Sequence, residues 1–155
     1  MKKLFYLLLL VPAFSIAQPG PDTLKYCIYD EHIGLGGYDP IAYFDENKAL
    51  RGDQKISVEH EHVTYYFLSD KNRTRFLISP DKYLPAYGGW CSMTLAMGRA
   101  TTPKYDNFLI RNGQLYLFER TLSVNGRELW ERDPDANEAS AEKNYSQYVT
   151  TGKIN

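Results

Sequence analysis

Residues 107–119, NFLIRNGQLYLFE, contain the strongest local signal of structure in the chain. Two apolar runs flank the pair Asn112-Gly113. This pair favours a type I′ turn, because both of its residues tolerate a positive φ. The stretch therefore predicts a β-hairpin whose two strands are joined by a two-residue turn.

A second hairpin is predicted for residues 56–69, ISVEHEHVTYYFLS. Ile56 and Val58 alternate with polar residues, and a β-branched and aromatic run follows them. Alternation followed by such a run is typical of paired strands with one buried face. The turn of this hairpin is expected near Glu61-His62.

Helices are predicted between the hairpins. Ser69 is a good N-cap for a helix that follows it. Pro80 ends that helix at Ser79, because the residue before a proline avoids the helical region. Residues 90–98, WCSMTLAMG, form a further predicted helix, which Gly98 can end.

Three more segments complete the expected order of elements. Residues 38–44, YDPIAYF, predict a turn and a short apolar strand, and the spacing of apolar residues within 122–130 predicts a helix. Asp135 with Glu138 resembles a capping box for a last helix that ends at about Val149. Hairpins separated by helices indicate the α+β class.

We therefore expect a small single α+β domain with β-hairpins and short helices over residues 34–132. Residues 18–33 predict an extended lead-in, with a short strand at 25–29, and residues 133–155 predict a C-terminal helix and tail. The sequence itself contains no repeat, no low-complexity tract and no linker to a second domain.

The first 17 residues have the pattern of a secretory signal peptide. Lys2 and Lys3 precede a short apolar run, and Ser15 and Ala17 place small residues where a signal peptidase cleaves. Cleavage after Ala17 predicts a secreted or periplasmic protein with no membrane anchor. The formal net charge of −1 over 155 residues gives no electrostatic reason to expect a nucleic-acid partner.

Cys91 is the leading candidate for chemistry. Gly88 and Gly89 precede it, and the predicted helix places it in a first turn, where free amide groups and the helix dipole favour a thiolate. Two other interpretations remain open. Cys91 packs as an ordinary buried cysteine, or it forms a disulfide with Cys27, the only other cysteine, in an oxidising compartment.

Histidine and methionine residues offer further metal ligands. His60 and His62 alternate at strand spacing, so a regular strand would place both imidazoles on one face. Solvated histidines at a hairpin turn are the alternative. Met93 and Met97 add soft sulfur near Cys91, and Cys, Met and His together suit copper or zinc. Met97, which shares a helical face with Trp90, is expected first in the core.

Three stretches resemble the secreted bacterial YHS-domain proteins: GYDPIAYF (37–44), VTYYFLSDKNRTRFLISPDKYLPAYGGWCS (63–92) and GQLYLF (113–118). The resemblance covers roughly residues 34–132. It implies a small α+β module with a treble-clef-like core and an association with the handling of heavy metals. In this branch the Gly-Gly-aromatic-Cys element, here ending at Cys91, implies redox or metal chemistry at the sulfur.

The chain departs from the family pattern at three positions. Metal-associated members have a cysteine after the Asp-Pro element and two more in a CxxxC pattern after the aromatic strand. The matching positions are Ala42, Leu68 and Asn72, and none of these side chains binds a soft metal. The usual metal site of the family is therefore not expected in this chain.

Three functional hypotheses follow from the sequence. The first is an exported YHS-domain protein that binds or delivers copper or zinc through Cys91, with His60, His62, Met93 or Met97 completing the site. The second is a thiol redox protein that uses Cys91 to attack a peroxide or a disulfide. The third is a non-catalytic binding or structural module, with Cys91 buried and a periplasmic protein as partner.

Overall fold

The computed structural model describes residues 22–28 and 32–154. The predicted signal peptide and Tyr29 of the predicted strand lie outside these residues. Residues 25–28 form a turn and irregular chain, so the described part of that segment is not a strand.

The described chain is an α+β domain of two antiparallel hairpins and five short or medium helices. In chain order the elements are α1 (Pro40–Asp45), β1 (Asp53–His60), β2 (Val63–Phe67), α2 (Asp70–Ile78), α3 (Ser92–Ala96), β3 (Lys104–Arg111), β4 (Gln114–Phe118), α4 (Gly126–Trp130) and α5 (Pro134–Thr151). The expected α+β class, with β-hairpins and short helices, is confirmed. Each hairpin is its own two-stranded sheet.

Both hairpin turns fold as their sequences predict. Asn112 and Gly113 have φ of 52° and 76°, and Glu61 and His62 have φ of 48° and 63°. These values are those of the type I′ turn, whose twist matches that of the flanking strands.

Proline and aspartate explain where the first helix lies. The structure has helix α1 where residues 38–44 were expected to form a strand. Pro40 occupies the first turn of α1, and the side chain of Asp39 accepts a hydrogen bond from the Ile41 amide at 2.8 Å. A cap and a fixed φ at N1 favour a helix over the strand that the apolar residues alone suggested.

The other helices begin and end at capping residues. Ser69 caps α2 by accepting from the Asn72 amide at 3.2 Å, as expected. The helix predicted within 122–130 is shorter: Asn125 caps it, and Leu122 lies outside it, fully exposed. Asp133, not Asp135, caps α5, which ends at Thr151.

The backbone contains a repeat that is not predicted from the sequence above. Unit 1 consists of the turn Gly34–Gly37, α1, β1–β2 and α2, and unit 2 of the turn Ala86–Gly89, α3, β3–β4 and α4. The turns have matching left-handed residues, with φ of 53° and 56° at Leu35-Gly36 and 53° and 60° at Tyr87-Gly88.

The two hairpins match as well. Each has a first strand of 8 residues and a second of 5. Each contains a bulge just after its first pair, Asp53↔Phe67 in unit 1 and Lys104↔Phe118 in unit 2. The residue that precedes each turn, Ile33 or Pro85, forms one parallel bridge to the second strand of the hairpin in its unit.

Strand β4 lies between two hydrophobic clusters. Leu115 and Leu117 point into one cluster with Phe67 and Phe76, whereas Tyr116 and Phe118 point into the other with Trp130. Alternate side chains of a strand point to opposite faces. Because both faces of β4 are covered, it joins the cores of the two units into one domain.

Candidate functional site

Cys91 lies at the N-terminal boundary of α3, as its N-cap residue, and is fully buried. Its backbone amide donates to the Thr101 carbonyl at 3.0 Å, and its Sγ accepts from the Glu119 amide at 3.1 Å. The sequence placed this residue correctly at a helix start. The structure adds that the sulfur already has a donor and no access to solvent.

Asp39 occupies the matching position in unit 1. It caps α1, is fully buried, and its Oδ2 accepts from the Leu68 amide at 2.7 Å. Leu68 directly follows β2, just as Glu119 directly follows β4. In both units, one buried acceptor therefore ties the start of a short helix to the end of a hairpin.

Cys27 lies close to the same turn and is buried. Its amide donates to the Gly88 carbonyl at 3.0 Å. Burial raises the pKa of the Cys27 thiol above its usual value, and a negative charge on Cys91 would raise it further. Both cysteines are free thiols in this structure, so the disulfide alternative is not formed here.

The two histidines do not share a face. β1 ends at His60, and His62 lies in the left-handed turn, where the alternation of a strand no longer applies. His60 packs edge-on against Phe76, with ring centroids 5.9 Å apart. The half-exposed His62 lies 3.6 Å from the Glu59 carboxylate. His32 is exposed.

Met93 and Met97 line one cavity of about 420 Å³ together with Glu119. Met97 is 54% exposed, so its expected place in the core is wrong. α3 ends at Ala96, before this residue. Within residues 22–28 and 32–154, no three His, Cys, Asp or Glu side chains are grouped closely enough to hold a metal ion.

A larger open site was not predicted from the sequence. Two adjoining cavities of about 460 and 220 Å³ form what we call the tyrosine groove. They have five lining residues in common: Asp81, Leu84, Pro85, Tyr87 and Tyr145. The lining comes from distant parts of the chain, which no local motif could indicate.

The hydroxyls of two groove tyrosines, Tyr116 and Tyr145, are already engaged with the protein. Tyr145 donates to the Lys25 carbonyl and Tyr116 to a Glu138 carboxylate oxygen, both at 2.8 Å. Burial raises the pKa of Tyr116 and of Tyr145 to about 12. The rings are therefore neutral at physiological pH, and their hydroxyls stay donors to the protein.

One end of the groove contains an amine of the chain itself. Lys25 Nζ donates to Glu61 Oε2 at 2.6 Å and lies 4.9 Å from the centroid of the Tyr26 ring. Tyr26 also donates to this carboxylate. The hydrogen bond from Lys25 holds the pKa of Glu61 below its usual value and raises the pKa of Lys25.

Comparison with known proteins adds no relative. No family model matches the chain, and neither a curated protein nor a solved structure is significantly similar to it. Among the helices formed by the described residues, none is long and apolar enough to span a bilayer.

Proposed function

We propose that this chain is an exported YHS-type domain that acts by binding a ligand, with the tyrosine groove as its ligand site and Cys91 as part of the buried frame. One observation carries the assignment of Cys91 to the buried frame. The Cys91 sulfur is fully buried and accepts a hydrogen bond from the Glu119 amide. A thiol nucleophile must be reachable by its substrate, whereas a structural acceptor need not be.

The equivalence with Asp39 supports this role. The Asp39 side chain accepts a hydrogen bond from the backbone amide of the residue that follows β2. The Cys91 side chain accepts one from the backbone amide of the residue that follows β4. A position filled by a carboxylate in one unit and a thiol in the other is one that requires an acceptor. It does not require sulfur chemistry.

Thiol labelling tests the proposal. The reduced protein is incubated with iodoacetamide at pH 7.5, with and without denaturant, and its intact mass is measured. We expect no adduct on the folded protein within an hour and two adducts on the unfolded protein. Rapid modification of Cys91 in the folded protein would favour the thiol redox hypothesis instead.

A second candidate function, soft-metal handling, is favoured by the cavity that contains Met93 and Met97. Thioethers are suitable ligands for Cu(I), and the Glu119 carboxylate lines the same cavity. His60 ends β1 and His62 lies in the following turn, and neither lines this cavity or the tyrosine groove. The site of this candidate therefore consists of the two methionines and Glu119.

Copper titration tests this second candidate. Cu(I) is added to the reduced protein in competition with a chromogenic chelator, and the double variant Met93→Leu/Met97→Leu is compared with wild type. One equivalent bound by wild type and none by the variant would establish the site. Equal uptake by the two proteins would exclude the methionines as ligands.

A further inference from the structure

We propose that the tyrosine groove binds a linear aliphatic polyamine, with its ammonium groups on the carboxylates and its alkyl chain along the tyrosine rings. This inference rests on the proposed binding function and names the class of ligand. It draws on the hydrogen-bonding capacity of the lining, its charge, its shape and the position of Lys25.

The hydrogen-bonding groups of the larger cavity include carboxylates together with the side-chain amides of Asn112 and Gln114. The donors of Tyr116 and Tyr145 are used within the protein, and Gln114 donates its amide to the Leu84 carbonyl at 2.9 Å. The remaining groups include the carboxylates of Asp81 and Glu142. A ligand that satisfies these carboxylates must supply donors.

The charge of the larger cavity is negative. Asp81, Glu138 and Glu142 line it, and none of its described lining residues is basic. Arg111 pairs with Glu138, but within the described part of the chain neither Asp81 nor Glu142 forms an ion pair. Uncompensated carboxylates beside aromatic rings favour a cationic donor.

The shape of the groove favours a chain over a compact cation. The two cavities adjoin through Leu84, Pro85 and Tyr87. Leu84 and Pro85 present apolar side chains there, and the Asp81 carboxylate lines both cavities together with them. Methylene groups between two ammonium groups would cover these apolar side chains.

The side chain of Lys25 is itself an alkylammonium that binds a carboxylate and a tyrosine ring at this surface. Its butyl chain carries an ammonium that contacts Glu61 and lies near the Tyr26 ring. An aliphatic chain ending in a charged nitrogen, a carboxylate and a tyrosine ring are thus already combined at one end of the groove. The larger cavity contains the carboxylates and the rings but no amine of the protein.

Calorimetry with spermidine tests the inference on the full mature protein at low salt. We expect one spermidine per protein, with affinity that falls as salt rises because the contacts are charged. Diacetylputrescine, which keeps an alkyl chain but lacks the charges, should not bind. Absence of spermidine binding, or equal binding of the two compounds, would overturn the proposal.

Two single variants locate the site. Glu142→Gln and Asp81→Asn each remove one charge at an exposed position, and each should weaken spermidine binding about tenfold, the effect of losing one hydrogen bond to a charged group. Glu46→Gln, an exposed carboxylate at the end of α1, is the matched control and should leave affinity unchanged. Equal affinity in all three variants would overturn the assignment to the groove.

The two proposals fail in different ways. Modification of Cys91 in the folded protein would contradict the proposed function, whatever spermidine does. If Cys91 is unreactive and spermidine does not bind, only the choice of ligand class is wrong.

Discussion

Cys91 and Asp39 are structural counterparts, because each is a fully buried N-cap residue. The side chain of each accepts a hydrogen bond from the backbone amide of the residue that directly follows the second strand of its hairpin. The unit 1 carboxylate has more partners, since Asp39 also accepts from the Ile41 amide and from the Asn72 side chain. Cys91 accepts a hydrogen bond from one partly buried amide and fills space. This difference sets the relative cost of removing each side chain.

Replacing Cys91 with alanine should destabilise the protein by about 2–3 kcal/mol, because the Glu119 amide loses its acceptor and a small cavity remains. Cys91→Ser keeps an oxygen acceptor and should cost less. Chemical denaturation measures both values, and Met97→Ala at a half-exposed position is the control. An alanine variant as stable as wild type would contradict the structural role.

Replacing Asp39 with asparagine should cost at least as much, about 3 kcal/mol. The asparagine amide has one oxygen acceptor, whereas the carboxylate oxygens of Asp39 accept from three donors. The same denaturation experiment applies, with Glu46→Gln as the exposed control. A neutral effect would show that the three donors find other partners.

The turn before Cys91 should tolerate no side chain at Gly88. An added Cβ would lie 1.8 Å from the Lys25 carbonyl oxygen, at a φ of +60°. We expect Gly88→Ala to lose about 3 kcal/mol of stability. Gly113 has a φ of +76° with open space around it, so Gly113→Ala should cost only about 1 kcal/mol. Equal losses would mean that the contact with Lys25 is not formed.

Acid should weaken the contact between Lys25 and Glu61. Lys25 lowers the pKa of Glu61 in the folded protein from its ordinary value of 4.5. A lowered pKa stabilises the fold above 4.5, and that contribution is lost as the pH falls through the folded value. Urea midpoints between pH 7 and pH 3 should therefore fall less steeply in Glu61→Gln than in wild type. Parallel curves would contradict the ion pair.

Much of the fold follows from local sequence. Asn112-Gly113 determines one turn, Ser69 caps α2, and Pro80 follows its end, because each acts through its own backbone and immediate neighbours. Residues 38–44 predict a turn and a strand, whereas in the structure Asp39 caps a helix. An apolar run such as 40–44 does not separate a buried helix from a buried strand.

The site could be predicted only in part. Cys91 was correctly placed at a helix start, but its burial depends on the distant Glu119 and Thr101. The equivalence of the two units is not predicted above, although a Gly-Gly-aromatic run, 36–38 in one unit and 88–90 in the other, precedes the position that Asp39 and Cys91 fill. The tyrosine groove depends on the packing of α5 against residues 80–88, and no spacing in the sequence indicates which tyrosines meet.

The rate at which Cys91 reacts with iodoacetamide, measured against urea concentration in a Cys27→Ser background, tests the central claim most directly. If the sulfur is a sealed structural acceptor, modification requires unfolding, and the logarithm of the rate should rise with urea as the unfolded fraction does. A rate that is fast in water and does not change below the unfolding transition would show an accessible thiol and contradict the account.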